Sequence, residues 1–308
     1  GGGSALSFLY RWGQGRTATV HALRALLWKC SRWETRQLWQ WIEEFSPDAV
    51  FFAAGDYGFS YDIAARIARK QKIPLAVCCV DDFYLYNRNE GSFLGRWLHR
   101  RFLKTIHRTM EQADAVFVIC ESLKREYESR FGKPCHLLHT PAMLYAGETG
   151  KTNQIAYIGN LELKREASLV QLGRALQKLE IPGIPKCLDV YSPEKDSEIL
   201  KYMTMENGIR FHGPLPGNRV QETMASCLAV IHAESFDPKM QAIVRHSVSA
   251  KIPDALQNGP CLLAYGPAGI ASMDYLLRTG AAFCITDPEK LQPELARIFS
   301  DPQLREET

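Results

Sequence analysis

Apolar residues in this chain come in short runs separated by stretches of helical spacing, and the alternation recurs from about residue 47 to residue 286. PDAVFFAAG (47–55), IPLAVCCVDD (73–82) and AVFVIC (115–120) are apolar through most of their length, as expected of strands covered on both faces of a parallel sheet. Between them YDIAARIARKQ (61–71) and the segment 92–113 carry helical spacing, and ESLKREYESRFG (121–132) is a helix that Gly132 should cap. The polar, glycine-containing MLYAGETGKTNQ (143–154) reads as a linker. Beyond it IAYIGN, CLDVYS, IRFHG, LAVIHA, CLLAYG and AAFCIT predict six more strands, with helical patterns in most of the gaps. The pattern predicts an α/β chain of two tandem, doubly wound Rossmann-like domains, residues 1–143 and 155–308, joined by a linker over 144–154. In such sheets ligands sit at the carboxyl ends of the strands.

Composition narrows the function classes. A chain of 308 residues suits two domains of ordinary size, and a formal net charge of +3 gives no bulk reason to expect a nucleic-acid partner. Nine cysteines without CxxC or Cys/His spacing read as reduced, buried thiols rather than a metal site, which places the chain in the cytoplasm. No apolar run approaches the length needed to cross a bilayer.

Candidate chemistry lies at the strand ends. In YIGNLELKRE, Gly159 and Asn160 end a strand with Lys164 and Arg165 close behind, a combination suited to a diphosphate and also to an ordinary turn with solvated charges. IRFHGPLP stops at Gly213 before Pro214, a rigid ledge against which a planar base could lie. HAESFDP ends its strand in Glu234, Ser235 and Asp237. In HSVSAKIPDALQNGP, Ser247 and Ser249 are candidate N-caps for a short helix that Gly259 stops. Lys251 then supplies a cation and Asp254 an acceptor for a ribose hydroxyl pair.

With these residues in place, the second half resembles the donor-binding domain of GT-B glycosyltransferases of the family 4 type, including polysaccharide-building enzymes. YIGN, IRFHGPLP, HAESFD, HSVSAKIPDALQNGP and LAYGP carry the resemblance, in the family's order. SPDAVFFAAGD, IPLAVCCVDDFY and ADAVFVICESLKREYESRFG resemble the later part of its acceptor domain, so the first domain is expected to be incomplete at its N-terminus. The resemblance implies a retaining, metal-independent hexosyltransferase acting in surface polysaccharide or glycolipid assembly, with a nucleotide-sugar co-substrate and no other cofactor. It implies diphosphate contacts from Gly159, Lys164, Arg165, Ser249 and Lys251, a base bordered by Gly213 and Pro214, and Asp254 on the ribose. Glu234, His246, Ser247 and Asn160 complete the expected donor set. Two departures stand out: His246 replaces the first acid of the family's paired-acid motif, and Asn160 replaces a basic residue. On the acceptor side Asp81 and Asp82 stand where many relatives have a His-Asp pair, and with Lys251 they are the candidate catalytic residues; a surface-loop pair is the plainer reading. The alternatives are a degenerate sugar-nucleotide binder or scaffold of the same fold and a nucleotide-sugar epimerase.

FLGRWLHRRFLKTIHRTM sets Leu94, Leu98, Phe102, Ile106 and Met110 on one stripe and Arg96, Arg100, Lys104 and Arg108 on another face. Residues 93–110 could rest on the inner face of a membrane, suiting a glycan or lipid-linked acceptor. A core-facing stripe with a solvated back is the ordinary alternative.

Overall fold

A computed structural model describes residues 18–85, 93–147, 149–258 and 261–306. The chain divides into two compact units, Gly1–His139 and Thr140–Thr308. The division falls at 139/140, and much of the segment expected as a linker is hydrogen-bonded to the second unit. Lys151 Nζ donates to Ala225 O at 3.0 Å and Thr152 N to Ser226 O at 2.7 Å.

The first unit runs α1 (Ala18–Cys30), α2 (Arg36–Phe45), β1 (Val50–Ala54), α3 (Gly58–Gln71), β2 (Leu75–Cys79), α4 (Phe93–Gln112), β3 (Ala115–Val118), α5 (Glu121–Phe131) and β4 (Cys135–Leu137). Its four strands are parallel and follow chain order across the sheet. Capping explains two of the helix boundaries. Thr35 Oγ1 accepts from Leu38 N at 3.1 Å to start α2, and Gly132, at φ 63°, takes the left-handed conformation that ends α5. The apolar stripe of α4 is buried at Ile106 and Met110 and opens toward solvent at Leu94, while Arg96, Arg100, Lys104 and Arg108 are exposed. All six tryptophans of the sequence lie at or before position 97, within this unit.

The second unit runs β5 (Ile155–Ile158), α6 (Arg165–Gln177), β6 (Leu188–Tyr191), β7 (Ile209–Gly213), α7 (Val220–Ser226), β8 (Ala229–Ala233), α8 (Pro238–Val244), α9 (Lys251–Asn258), β9 (Cys261–Tyr265), α10 (Ala271–Thr279), β10 (Phe283–Ile285) and α11 (Leu291–Ser300), with one-turn helices between some of these. Six parallel strands stand in the order β10-β9-β8-β5-β6-β7, so the winding reverses between β5 and β8. Apolar side chains fill both faces. Ile155, Tyr157, Val190 and Ile231 pack with Leu169, Leu172 and Leu176 of α6, whereas Ala156, Ile158, Val230 and Leu262 pack with Ile252 and Ala255 of α9. The crossovers leaving β5 and β8 therefore lie on opposite faces, and a crevice opens at the carboxyl ends of these two strands.

Candidate functional site

The reversal between β5 and β8 gathers four of the residues nominated by the sequence. Gly159 follows β5; Arg165 and Lys164 lead into α6; Glu234 follows β8. A Cβ at Gly159 would lie 2.9 Å from the Tyr157 hydroxyl, which folds over the turn and donates to Asn160 O at 2.6 Å. Tyr157 thus demands glycine there, and its burial pushes the phenol well above its ordinary pKa. Leu163 and Lys164 both adopt positive φ, 65° and 59°, an uncommon conformation for two successive side-chain-bearing residues. They deliver an α6 N-terminus with no side-chain cap, the geometry suited to an anion.

The cations there are already paired. Arg165 grips Glu234 with two hydrogen bonds, Nε to Oε2 at 3.1 Å and Nη2 to Oε1 at 3.2 Å. The Glu234 side chain is only 5 % exposed, and Ser168 Oγ donates to its carbonyl at 2.7 Å. Gly266 makes room for it, since a Cβ there would stand 2.8 Å from Glu234 Cβ. His232 Nε2 lies 3.6 Å from Glu234 Oε1, beyond hydrogen-bond reach, and has no hydrogen-bond partner. Burial lowers the imidazole's pKa against the opposing pull of Glu234, so it is a neutral ring and not an ion-pair member. On the exposed side Lys164 Nζ meets Asp237 Oδ2 at 2.6 Å. Their hydrogen bond raises the lysine and lowers the aspartate, which also caps α8 through the amides of Lys239 and Met240. Glu166 in the first turn of α6 has its carboxyl raised by burial, with Oε2 unpartnered.

From the other face, α9 begins where the sequence places it. Ser249 is its cap, accepting from Lys251 N at 3.4 Å, whereas the Ser247 amide closes the preceding turn onto Val244 O at 2.9 Å. Running against the strands, α9 also points its N-terminus to the carboxyl edge of the sheet, and Lys251 is exposed there. Asp254 is otherwise engaged. Its Oδ1 accepts from Met143 N at 2.8 Å and its Oδ2 from Gln221 Nε2 at 3.4 Å. One turn on, Asn258 accepts from Tyr145 N and donates to Met143 O, at 2.7 Å and 2.9 Å. His246 is buried. Gly259, expected to stop this helix, lies outside the described residues.

Gly213 closes β7 at φ 74° with open space where a Cβ would stand, so its conformation and not crowding requires glycine. Next to it is a cluster that strand-end reasoning missed. Asp189, buried in β6, lies 2.6 Å from His212 Nε2 and 3.4 Å from Arg210 Nη1, and the His212 ring stacks on Tyr191 at 4.6 Å. The available signal was an aspartate inside the apolar run CLDVYS.

In the first unit, Asp82 follows β2 and turns the chain: its Oδ1 accepts from the amides of Tyr84 and Leu85 at 3.1 Å and 2.7 Å. This is an Asx turn, the structural role that competes with catalysis for the pair. Asp81, half-buried, precedes it.

Residues 5–140 match the family model of the glycosyl transferase 4-like domain. Comparison with curated proteins by sequence gives no match. Among solved structures, TarM of S. aureus superposes with a TM-score of 0.61 at 10% identity, over 87% of this chain and 52% of that one. HepE of Anabaena gives 0.60 at 15% identity over 88% and 73%, and sucrose-phosphate synthase of Thermosynechococcus elongatus 0.57 at 10% over 87% and 68%. The chain thus spans about half the length of TarM, and at these identities the likeness is one of fold. No described helix is long and apolar enough to cross a membrane. The chain therefore has the GT-B fold of these solved structures, and within it residues 5–140 resemble the glycosyl transferase 4-like domain.

Proposed function

We propose that the chain transfers a hexosyl group from a nucleotide-diphosphate donor, bound by the second unit, to a glycan or lipid-linked acceptor bound by the first, with retention of configuration and without a metal. The observation that carries this reading is the β5/β8 reversal, where two helix N-termini from opposite faces flank one crevice. TarM and HepE were solved with UDP, which favours a uridine nucleotide here. As the bond from the anomeric carbon to the diphosphate breaks, negative charge grows on the leaving oxygens. Lys251 and the uncapped start of α6 are the groups suited to meet it. Gly213 and Pro214 would border the base, and the acceptor hydroxyl would be oriented by Asp81 or Asp82. The protein works in the cytoplasm, with residues 93–110 against the inner membrane face.

A second reading has an observation in its favour. Lys164 and Arg165 are neutralised by Asp237 and Glu234, as a sugar-nucleotide binder without transfer activity could tolerate. Calorimetric titration with UDP, followed by assay of UDP release from UDP-sugars in the presence of glycolipid extract, separates the two. Binding with acceptor-dependent release supports the transferase; binding without it supports the binder; absence of nucleotide binding defeats both.

A further inference from the structure

A cavity in the first unit is built from elements other than those of the donor crevice. It encloses about 670 Å³ between α1, the start of α3, the turn after β2 and α4. Its wall is aromatic: Trp28, Trp33, Phe59, Trp97 and Phe102 line it, with Trp28 stacked on Phe59 at 4.1 Å. Several of the polar side chains in the wall are turned to one another or to the backbone. Arg24 Nη1 donates to the Tyr57 hydroxyl at 2.9 Å, Asp62 accepts from Arg108 at 2.6 Å, and Asp82 holds its own turn. The aromatic side chains offer a hydrocarbon chain apolar surface to cover, and Asp56, His99, Arg101 and Thr105 add polar groups to the lining.

The mouth has a distinct chemistry. Leu26, Trp28 and Trp97 line the cavity and are also exposed, at 55%, 36% and 50%. Beside them Leu27 of α1 and Phe93 and Leu94 of α4 are exposed too, an apolar rim open to water. Arg96, Arg100, Arg101 and Lys104 stand exposed on the same α4, which carries no acid before Glu111. Aromatic and leucine side chains beside a cationic band match the boundary of an anionic lipid surface.

We propose that this cavity seats the hydrocarbon chain of an anionic lipid whose head group lies against the α4 cations. Taking that lipid for the sugar acceptor rests on the transferase reading; the lipid site itself does not.

The test titrates the full chain, without nucleotide, with lysophosphatidylglycerol carrying a brominated acyl chain, below its micelle concentration. Tryptophan emission should be quenched saturably, because Trp28, Trp33 and Trp97 line the cavity. Ala25→Phe, which fills the space from α1, should weaken the apparent affinity about tenfold or more, the equivalent of about two methylenes denied burial, with the far-UV spectrum unchanged. Thr105→Met narrows the space from α4 and provides the same reading should Ala25→Phe misfold. Charge reversal at Arg100 and Lys104 should weaken the anionic probe and spare brominated lysophosphatidylcholine. Absent or unsaturable quenching, equal quenching in both filled variants, or displacement by maltohexaose instead of unbrominated lysolipid overturns the proposal. UDP binding is measured on the same sample. A chain that takes the lipid but not UDP keeps this site and loses the transferase reading, and the converse result does the opposite.

Discussion

The Asp254 carboxylate accepts from the Met143 amide at 2.8 Å, and Asn258 one turn later accepts from the Tyr145 amide through Oδ1 and donates through Nδ2 to the Met143 carbonyl. Helix Lys251–Asn258 therefore clamps the stretch that enters the second unit. Asp254→Ala should lower unfolding free energy by about 0.5–1.5 kcal/mol in urea titrations, the net worth of a hydrogen bond whose donor amide is open to water. Asp254→Asn, which keeps an acceptor oxygen, should recover most of that loss. Equal stability of the alanine variant and the parent would show that the clamp contributes nothing.

Arg165 and Glu234 are a mostly buried bidentate pair, at 19% and 5% exposed. Arg165→Met should cost about 3–5 kcal/mol by leaving a carboxylate buried without its counter-charge, and Arg165→Met with Glu234→Gln should cost less than the single change. Thermal and denaturant melts of the three proteins check this. Additive losses would refute the coupling.

Lys251 is exposed, so its removal should leave folding intact. Lys251→Ala should weaken UDP binding by about 1.5–3 kcal/mol, the worth of a hydrogen bond to a charged group, as read by calorimetry. Unchanged affinity would take Lys251 out of the donor site.

His232 supplies a pH dependence. Its imidazole is held below the ordinary value of 6.5 by burial, so the unfolded chain takes up this proton before the folded one. The stability it contributes is complete above about pH 6.5 and is lost as pH falls toward the folded-state value. His232→Leu should flatten the decline in unfolding free energy between about pH 7 and pH 5. An unaltered slope would mean that the ring binds its proton equally well folded and unfolded, so that burial does not depress it.

The sheets were legible because their strands are apolar throughout, and Gly132 and Ser249 announced helix ends by type. Cys135–Leu137 was not, since three residues hold no period. In the site, Lys164, Arg165 and Glu234 were found by position at strand ends, but their pairing was invisible because it joins positions 69 and 73 residues apart. The bond from the Met143 amide to Asp254 is equally invisible in the sequence, because a helix acid preceding a turn gives no sign of a partner 111 residues earlier. The Asp189, His212 and Tyr191 cluster escaped because its register across β6 and β7 includes a shift at Val190/Tyr191.

The confinement of every tryptophan to the first 97 positions has a practical consequence for folding studies. Indole emission follows the loosening of one half of the molecule and is blind to the other, while far-UV dichroism sums over both. Superimposable denaturation curves from the two signals would mean that the halves come apart together; separated midpoints would date the two events individually.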